Sequence, residues 1–327
     1  MTSSRGKWFP TVLEHPDSSC RIFCFPHAGA GPTAYLEWLR YIPEETDFFP
    51  VAYPMREQRR RESMPDSLQL LGQQIAAENA ALFREKPCIL LGHCAGAAIA
   101  YETAAALEAQ GIIPNLLTVS AANAPCVPLT LSVDPQMELP QAAQVFKQFG
   151  FIAEPFASNE AYVRCFVPVL LQDFILFQNY CGRKGQKLHC PILEIHGEED
   201  PMIQPERLKE WELYTDQLTH MTVPGAHFYF SPEADASHAG ERTKSMNTQL
   251  QQEIRQLWCD NLGCPTAEEA DNYFVCGGTS ISAIRLLSAI RDQLGVTLDY
   301  TELFEYQTLE ALSRRITAAL TAKEEAV

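Results

Sequence analysis

A chain of 327 residues with 46% hydrophobic composition can bury a substantial core, enough for one large domain and a small one or for two of moderate size. A formal charge of -16, with Arg59-Arg60-Arg61 as the one basic cluster, argues against a nucleic-acid-binding surface, and no apolar run is long enough to span a bilayer. Residues 1–10 lack a signal-peptide core and the eleven cysteines follow no repeated spacing, so a reducing cytoplasm is expected.

In chain order, residues 21–26 read as a strand, followed by the small-residue loop His27-Ala28-Gly29-Ala30-Gly31-Pro32 and a helical pattern through Tyr35, Leu39 and Ile42. Cys20 and Cys24, the closest cysteine pair, lie on that strand, and no second Cys or His pair stands at zinc-ligand spacing, so no metal is expected. A second strand over 48–53 leads into a polar loop, a helix covers 67–83, and the apolar run Cys88-Ile89-Leu90-Leu91 forms the next strand. An alanine-rich helix over 95–110 and a strand over 115–121 come after it. Residues 139–182 are largely helical in pattern and read as a lid inserted between strands. Alternation resumes with a strand over 191–196, a helix near 205–214 and a strand over 218–223. Strands alternating with helices predict an α/β fold whose mostly parallel sheet is covered on both faces. That domain spans 18–232, a polar linker runs over 233–247, and a small all-α bundle over 248–323 holds helices at 249–262, 280–294 and 309–320.

The chemistry concentrates at Gly92-His93-Cys94-Ala95-Gly96, directly after a buried strand. A sharp turn from strand into helix strains its central residue and requires small neighbours two positions away, which Gly92 and Gly96 supply; this is a nucleophile elbow with a thiol at its apex. A lone cysteine is ordinarily a buried small hydrophobe, and the flanking glycines are what tip Cys94 toward chemistry. The N-terminus of the following helix points partial positive charge at the sulfur, which favours its anion. A thiol nucleophile needs a base, and the base needs a third group to fix its tautomer. Asp200 in His196-Gly197-Glu198-Glu199-Asp200-Pro201 and His227 in Pro224-Gly225-Ala226-His227-Phe228 both follow strands, in the acid-then-histidine order of hydrolases. Glu198 and Glu199 are alternatives to Asp200, and His196 and His93 are alternatives to His227, with His93 read as a support of the elbow. The oxyanion hole takes the Ala95 N–H and a second from Ala28 or Gly29, each such donor contributing about 3 kcal/mol. Phe146, Phe149, Phe151 and Phe166 of the lid read either as core or as walls of an apolar channel.

These residues resemble the type II, or editing, thioesterases of nonribosomal peptide and polyketide synthesis. The resemblance runs from Cys20 to Phe230 through Phe25-Pro26-His27-Ala28-Gly29-Ala30-Gly31, Pro54 with Arg56-Glu57, the elbow, Asp173-Phe174, and the two loops that hold Asp200 and His227. It implies an α/β-hydrolase fold with a mobile lid, and cleavage of thioesters on acyl or aminoacyl groups tethered to carrier proteins. Met55 stands where the family usually has glycine, and Cys94 where it usually has serine. The C-terminal unit looks like a peptidyl or acyl carrier domain, on the motif Asp271-Asn272-Tyr273-Phe274-Val275-Cys276-Gly277-Gly278-Thr279-Ser280 followed by Ile281, Ile284, Leu287 and Ile290. That resemblance implies 4'-phosphopantetheine on Ser280, installed by a phosphopantetheinyl transferase, with other carrier domains as partners. Two fates for the acyl group follow: hydrolysis through a covalent Cys94 acyl-enzyme, or transfer to another carrier thiol or an amine.

Overall fold

The computed structural model describes residues 2–3, 5–129, 131–152, 156–182, 186–230, 248–262, 264, 266–273, 276, 280–298, 302–303 and 306–324. The chain divides into two compact units, Met1–His238 and Ala239–Val327. The expected linker over 233–247 lies outside the described residues.

The first unit is built on eight strands: β1 (Thr2–Ser3), β2 (Val12–Leu13), β3 (Cys20–Phe25), β4 (Thr46–Pro50), β5 (Cys88–His93), β6 (Leu116–Ser120), β7 (Ile192–Gly197) and β8 (Leu218–Val223). Their order in the sheet is β1-β2-β4-β3-β5-β6-β7-β8. From β4 to β8 all neighbours are parallel, as the alternating pattern predicts, while β1 and β2 add an antiparallel edge. Two-residue strands have no period to read, so these escape sequence analysis. The register sets Phe25 beside Gly92 and His93 beside Ser120. The C-terminal ends of β3, β5 and β6 therefore lie side by side, where parallel sheets place their chemistry.

Helix α1 (Leu68–Arg84) starts where the Ser67 hydroxyl accepts the Leu70 N–H at 3.1 Å, and buries Leu68, Leu71, Ile75 and Phe83. Helix α2 (Ala95–Glu108) is buried on nearly every side, which suits its run of alanines. The segments expected as helices after β3 and after β7 are instead 3-10 helices, Pro32–Arg40 and Pro205–Leu213. Three residues per turn align every third side chain. Tyr35 and Trp38 accordingly meet edge-on at 5.1 Å, and Leu208 and Trp211 are both buried.

The lid carries α3 (Leu139–Gln148) and α4 (Glu160–Gln178), the latter capped by the Asn159 side chain accepting the Tyr162 N–H at 2.9 Å. Ala142, Ala143, Phe146, Val167, Leu170, Leu171 and Phe174 share one apolar cluster with Ala28, Cys94 and Ala95. No helix among the described residues is long and apolar enough to cross a membrane.

The second unit contains α5 (Thr248–Leu262), α6 (Ser280–Leu294) and α7 (Leu309–Glu324). Ile254, Trp258, Leu286, Ile290, Leu312 and Ile316 form its core. Tyr273 is fully buried in it, edge-on to Trp258 at 5.1 Å, with its N–H donating to the Gln307 carbonyl at 2.7 Å.

Candidate active site

Cys94 sits between β5 and α2 with φ 55 and ψ -125, a strained conformation for a residue with a side chain. Its N–H donates to the Ser120 carbonyl at 2.8 Å, and its side chain is 2% exposed. The flanking glycines are sterically compelled: a Cβ on Gly92 would stand 2.3 Å from the Gly96 carbonyl oxygen, and one on Gly96 would stand 2.1 Å from the Phe25 carbonyl oxygen.

Asp200 and His227 come together because the loops after β7 and β8 are pressed against each other. A Cβ on Gly197 would stand 2.3 Å from the Gly225 oxygen, and Gly225 itself has φ +110. His227 Nδ1 lies 2.8 and 3.0 Å from the two Asp200 oxygens, and Asp200 Oδ1 also accepts the Met202 N–H at 2.9 Å. Both side chains are buried, and His227 Nε2, which is also buried, is left to interact with the Cys94 side chain. A carboxylate on Nδ1 fixes that nitrogen as the donor and leaves Nε2 for chemistry. Burial alone would lower the His227 pKa, but negative charge at Cys94 and then the Asp200 hydrogen bond push it up to about 10.

The alternatives are placed elsewhere. Glu198 and Glu199 are exposed. His196 Nδ1 faces the buried Glu194 at 3.0 Å, and His220 faces the same carboxylate at 3.0 Å. His93 is buried with its Nδ1 2.8 Å from the Ser120 hydroxyl and its ring 5.2 Å from that of His227. Burial holds His93 well below its ordinary pKa and brings His27 down to about 3, so of these three neighbouring imidazoles His227 is the one that carries charge.

The loop after β3 corrects one expectation. The Gly29 N–H donates to Asp173 Oδ2 at 2.7 Å and is therefore not free for an oxyanion. The Ala28 amide has no such bond among the described residues, and the Ala95 amide opens α2, where no intrahelical acceptor exists. Ala28, Ala95 and Asp173 border one small cavity. Asp173 also takes a bidentate bond from Arg56, with Nη1 and Nη2 each at 2.8 Å. Both residues belong to the stretches that carry the family resemblance, with no role implied there. The readable signal was Asp173 as the sole charge in the apolar stretch 167–177, since a buried carboxylate demands a partner.

Met55, the departure from glycine, has φ 67, and its N–H is shared between the Arg59 and Glu62 carbonyls at 3.1 Å each. Arg59 is buried over the Trp8 ring at 4.0 Å and bonded to the Ala52 carbonyl, which leaves Arg60 and Arg61 as the exposed part of the basic cluster. Of the lid aromatics, Phe151 lies 5.3 Å from the His227 ring and 4.9 Å from Phe174, Phe146 packs on Phe174, and Phe166 stacks on Tyr162. Phe149 packs against the lid cluster. No group of three or more His, Cys, Asp or Glu side chains set to hold a metal occurs among the described residues. Ser280 is the first residue of α6, and Cys276 ahead of it is exposed.

Residues 20–246 match the thioesterase domain family, and residues 252–316 match the phosphopantetheine attachment site family. The chain is similar to Thioesterase PikA5 of Streptomyces venezuelae, 27% identical over 230 residues that make up 70% of this chain and 82% of that one. Gramicidin S biosynthesis protein GrsT of Aneurinibacillus migulanus is also 27% identical, over 69% of this chain and 89% of its own. Among solved structures, the type II thioesterase BorB from the borrelidin biosynthetic cluster superposes with a TM-score of 0.62 at 30% identity, covering 72% of this chain and 95% of its own. The present chain is a member of the thioesterase domain family and carries a phosphopantetheine attachment domain C-terminal to it.

Proposed function

We propose that this protein is a type II thioesterase acting on acyl or aminoacyl groups tethered to carrier proteins of nonribosomal peptide or polyketide synthesis, with Cys94 as nucleophile, His227 as acid and base, and Asp200 as its orienter. The observation that carries this reading is His227, held through Nδ1 by Asp200 and interacting with the Cys94 side chain, which raises its pKa against burial. His227 Nε2 takes the Cys94 proton as the sulfur attacks the thioester carbon, and the carbonyl oxygen takes the negative charge. The Ala28 and Ala95 amides stabilise that oxyanion, at about 3 kcal/mol per donor. Collapse breaks the bond to the departing thiolate, which takes the Nε2 proton. His227 then accepts a proton from the incoming water as it attacks the Cys94 acyl group, and the released acid leaves the pair as it began.

Transfer to a thiol or amine is the second reading, and the sulfur under an apolar lid favours it. Exchange of one thioester for another is nearly balanced in energy, and a side chain only 2% exposed receives water poorly. Intact-protein mass spectrometry of the phosphopantetheinylated protein, tracking acyl mass on Ser280, on Cys94 and on an added carrier, separates the two. Free acid with no acyl on any acceptor removes transfer, and unchanged acyl loss in Cys94→Ala removes the nucleophile.

We place the thioesterase domain at 18–232 and the carrier domain at 248–323, with Ser280 as the attachment residue. A serine that opens a 15-residue helix fits a phosphodiester, because free N–H groups and the helix dipole both favour the anion. Once installed by a phosphopantetheinyl transferase, the group supplies a thiol on a long arm. We also place the protein in the cytoplasm, on eleven cysteines that follow no repeated spacing.

A further inference from the structure

We infer that Asp173 is a positioning residue that ties the oxyanion-donor loop to closure of the lid, so that the loop is set for chemistry while α4 is seated. The inference rests on the thioesterase reading above. Three chain segments distant in sequence meet on this one carboxylate. Its Oδ2 accepts the Gly29 N–H at 2.7 Å and Arg56 Nη1 at 2.8 Å, while Oδ1 accepts Arg56 Nη2 at 2.8 Å. Arg56 Nη1 also donates to the Ala30 carbonyl at 3.0 Å, and its Nε donates to the Pro54 carbonyl at 3.0 Å. Both ends of the Gly29-Ala30 unit are therefore held by the Arg56–Asp173 pair.

The held peptide, between Ala28 and Gly29, is the one adjoining the free Ala28 amide. Gly29 has φ +79, and a Cβ there would stand 3.1 Å from the Leu170 side chain, so α4 rests directly on the loop. Leu170, Asp173 and Phe174 share one face of α4 at helical spacing. Leu170 and Phe174 belong to the apolar cluster that holds the buried Cys94, so seating that face completes the cluster and delivers Asp173 to Gly29 in the same motion. When α4 lifts, the Gly29 N–H and the Arg56 guanidinium lose their acceptor, and the loop has no reason to keep this conformation. Lid closure then excludes water and orients the Ala28 donor together.

The test compares Asp173→Asn and Arg56→Lys with the native protein and with Cys94→Ala, by two rates. One is hydrolysis of a short fatty-acyl N-acetylcysteamine thioester, which develops an oxyanion. The other is alkylation of Cys94 by iodoacetamide, which develops none. Misplacing the donor is expected to lower kcat about a hundredfold while KM stays within about threefold. Alkylation of Cys94 is expected to be as fast as in the native protein or faster. Alkylation falling in parallel with turnover, a rise in KM with kcat unchanged, or full turnover in both variants would each overturn the inference. Should Asp173→Asn fail to fold, Arg56→Lys, which keeps the buried charge, decides alone. Turnover that survives Cys94→Ala overturns the nucleophile assignment itself, whereas turnover that survives Asp173→Asn while Cys94→Ala is inactive overturns this inference alone.

Discussion

Removing the sulfur should discharge His227. Burial favours the neutral ring, yet charge at Cys94 and the Asp200 hydrogen bond hold the pKa at about 10 in place of the ordinary 6.5. At about 1.4 kcal/mol per pKa unit, that difference is on the order of 5 kcal/mol in favour of the charged ring. Cys94 leads the contributions that raise it, and Asp200 alone must then oppose burial. In Cys94→Ala, His227 should therefore titrate in its ordinary range or below. The assay is nitrogen-15 NMR of the imidazole across pH. In the native protein both ring nitrogens should stay protonated at neutral pH and lose a proton only on approach to about 10. In the alanine variant the spectrum at neutral pH should show one protonated nitrogen, Nδ1, still held by Asp200. Identical titrations in the two proteins would refute the idea that sulfur and imidazole form a charge pair before substrate arrives. Cys94→Ser carries the same logic into rates. Without the Cys94 contribution the His227 pKa should fall, so kcat/KM of the serine variant should rise with pH through that lower value.

Gly96→Ala should cost about 3 kcal/mol or more in denaturant unfolding, because its Cβ would stand 2.1 Å from one backbone oxygen and 2.6 Å from another. Met55→Gly should leave stability unchanged or raise it by up to about 1 kcal/mol, since relief of the left-handed φ outweighs or matches the added chain entropy; a clear loss would show that the Met55 side chain contributes packing. Burial works against the Asp47 charge, but Ser18, the His15 amide, Lys86 and Arg21 outweigh it and bring the pKa down to about 2. A lowered folded-state value means this stabilisation is complete above the ordinary 3.8 and is lost as pH falls through about 2, so Asp47→Asn should flatten the acid limb of the unfolding curve. Ser280→Ala should abolish the mass added by a phosphopantetheinyl transferase without moving the thermal midpoint of the thioesterase domain.

The elbow was legible because its demand is local: two glycines two residues either side of Cys94 answer a clash that any strand-to-helix turn creates. The parallel sheet was legible for a similar reason, since its central strands β3, β5 and β6 carry apolar residues of their own. Choosing Asp200 over Glu198 and Glu199 was not, because three acids in one turn differ only in which is turned inward, and that depends on how the loop after β8 presses on Gly197. The engagement of Gly29 was hidden more deeply. Its acceptor lies 144 residues away on the lid, so no pattern within the loop could report it. The 3-10 segments escaped because apolar residues three apart fit either helix, and only the seating of Tyr35 on Trp38 shows which one the chain takes.

The two departures from the family pattern, Met55 and Cys94, both sit at positive φ, yet they differ in kind. At Met55 the strain is the whole effect, because the backbone there needs glycine's freedom and a side chain has been placed on it. At Cys94 the strain belongs to the turn and is the same for serine or cysteine, so exchanging one for the other leaves Asp200, His227 and the amides where they are. What changes is the acyl bond formed: serine would give an oxyester, and cysteine gives a thioester. On the proposed mechanism the acyl group then rests on sulfur, in a bond that a thiol can exchange at little cost. The energetic distinction between hydrolysis and transfer therefore lies in how well the lid keeps water from that bond, which makes the seating of α4 on the Gly29 loop the step that decides the fate of the acyl group.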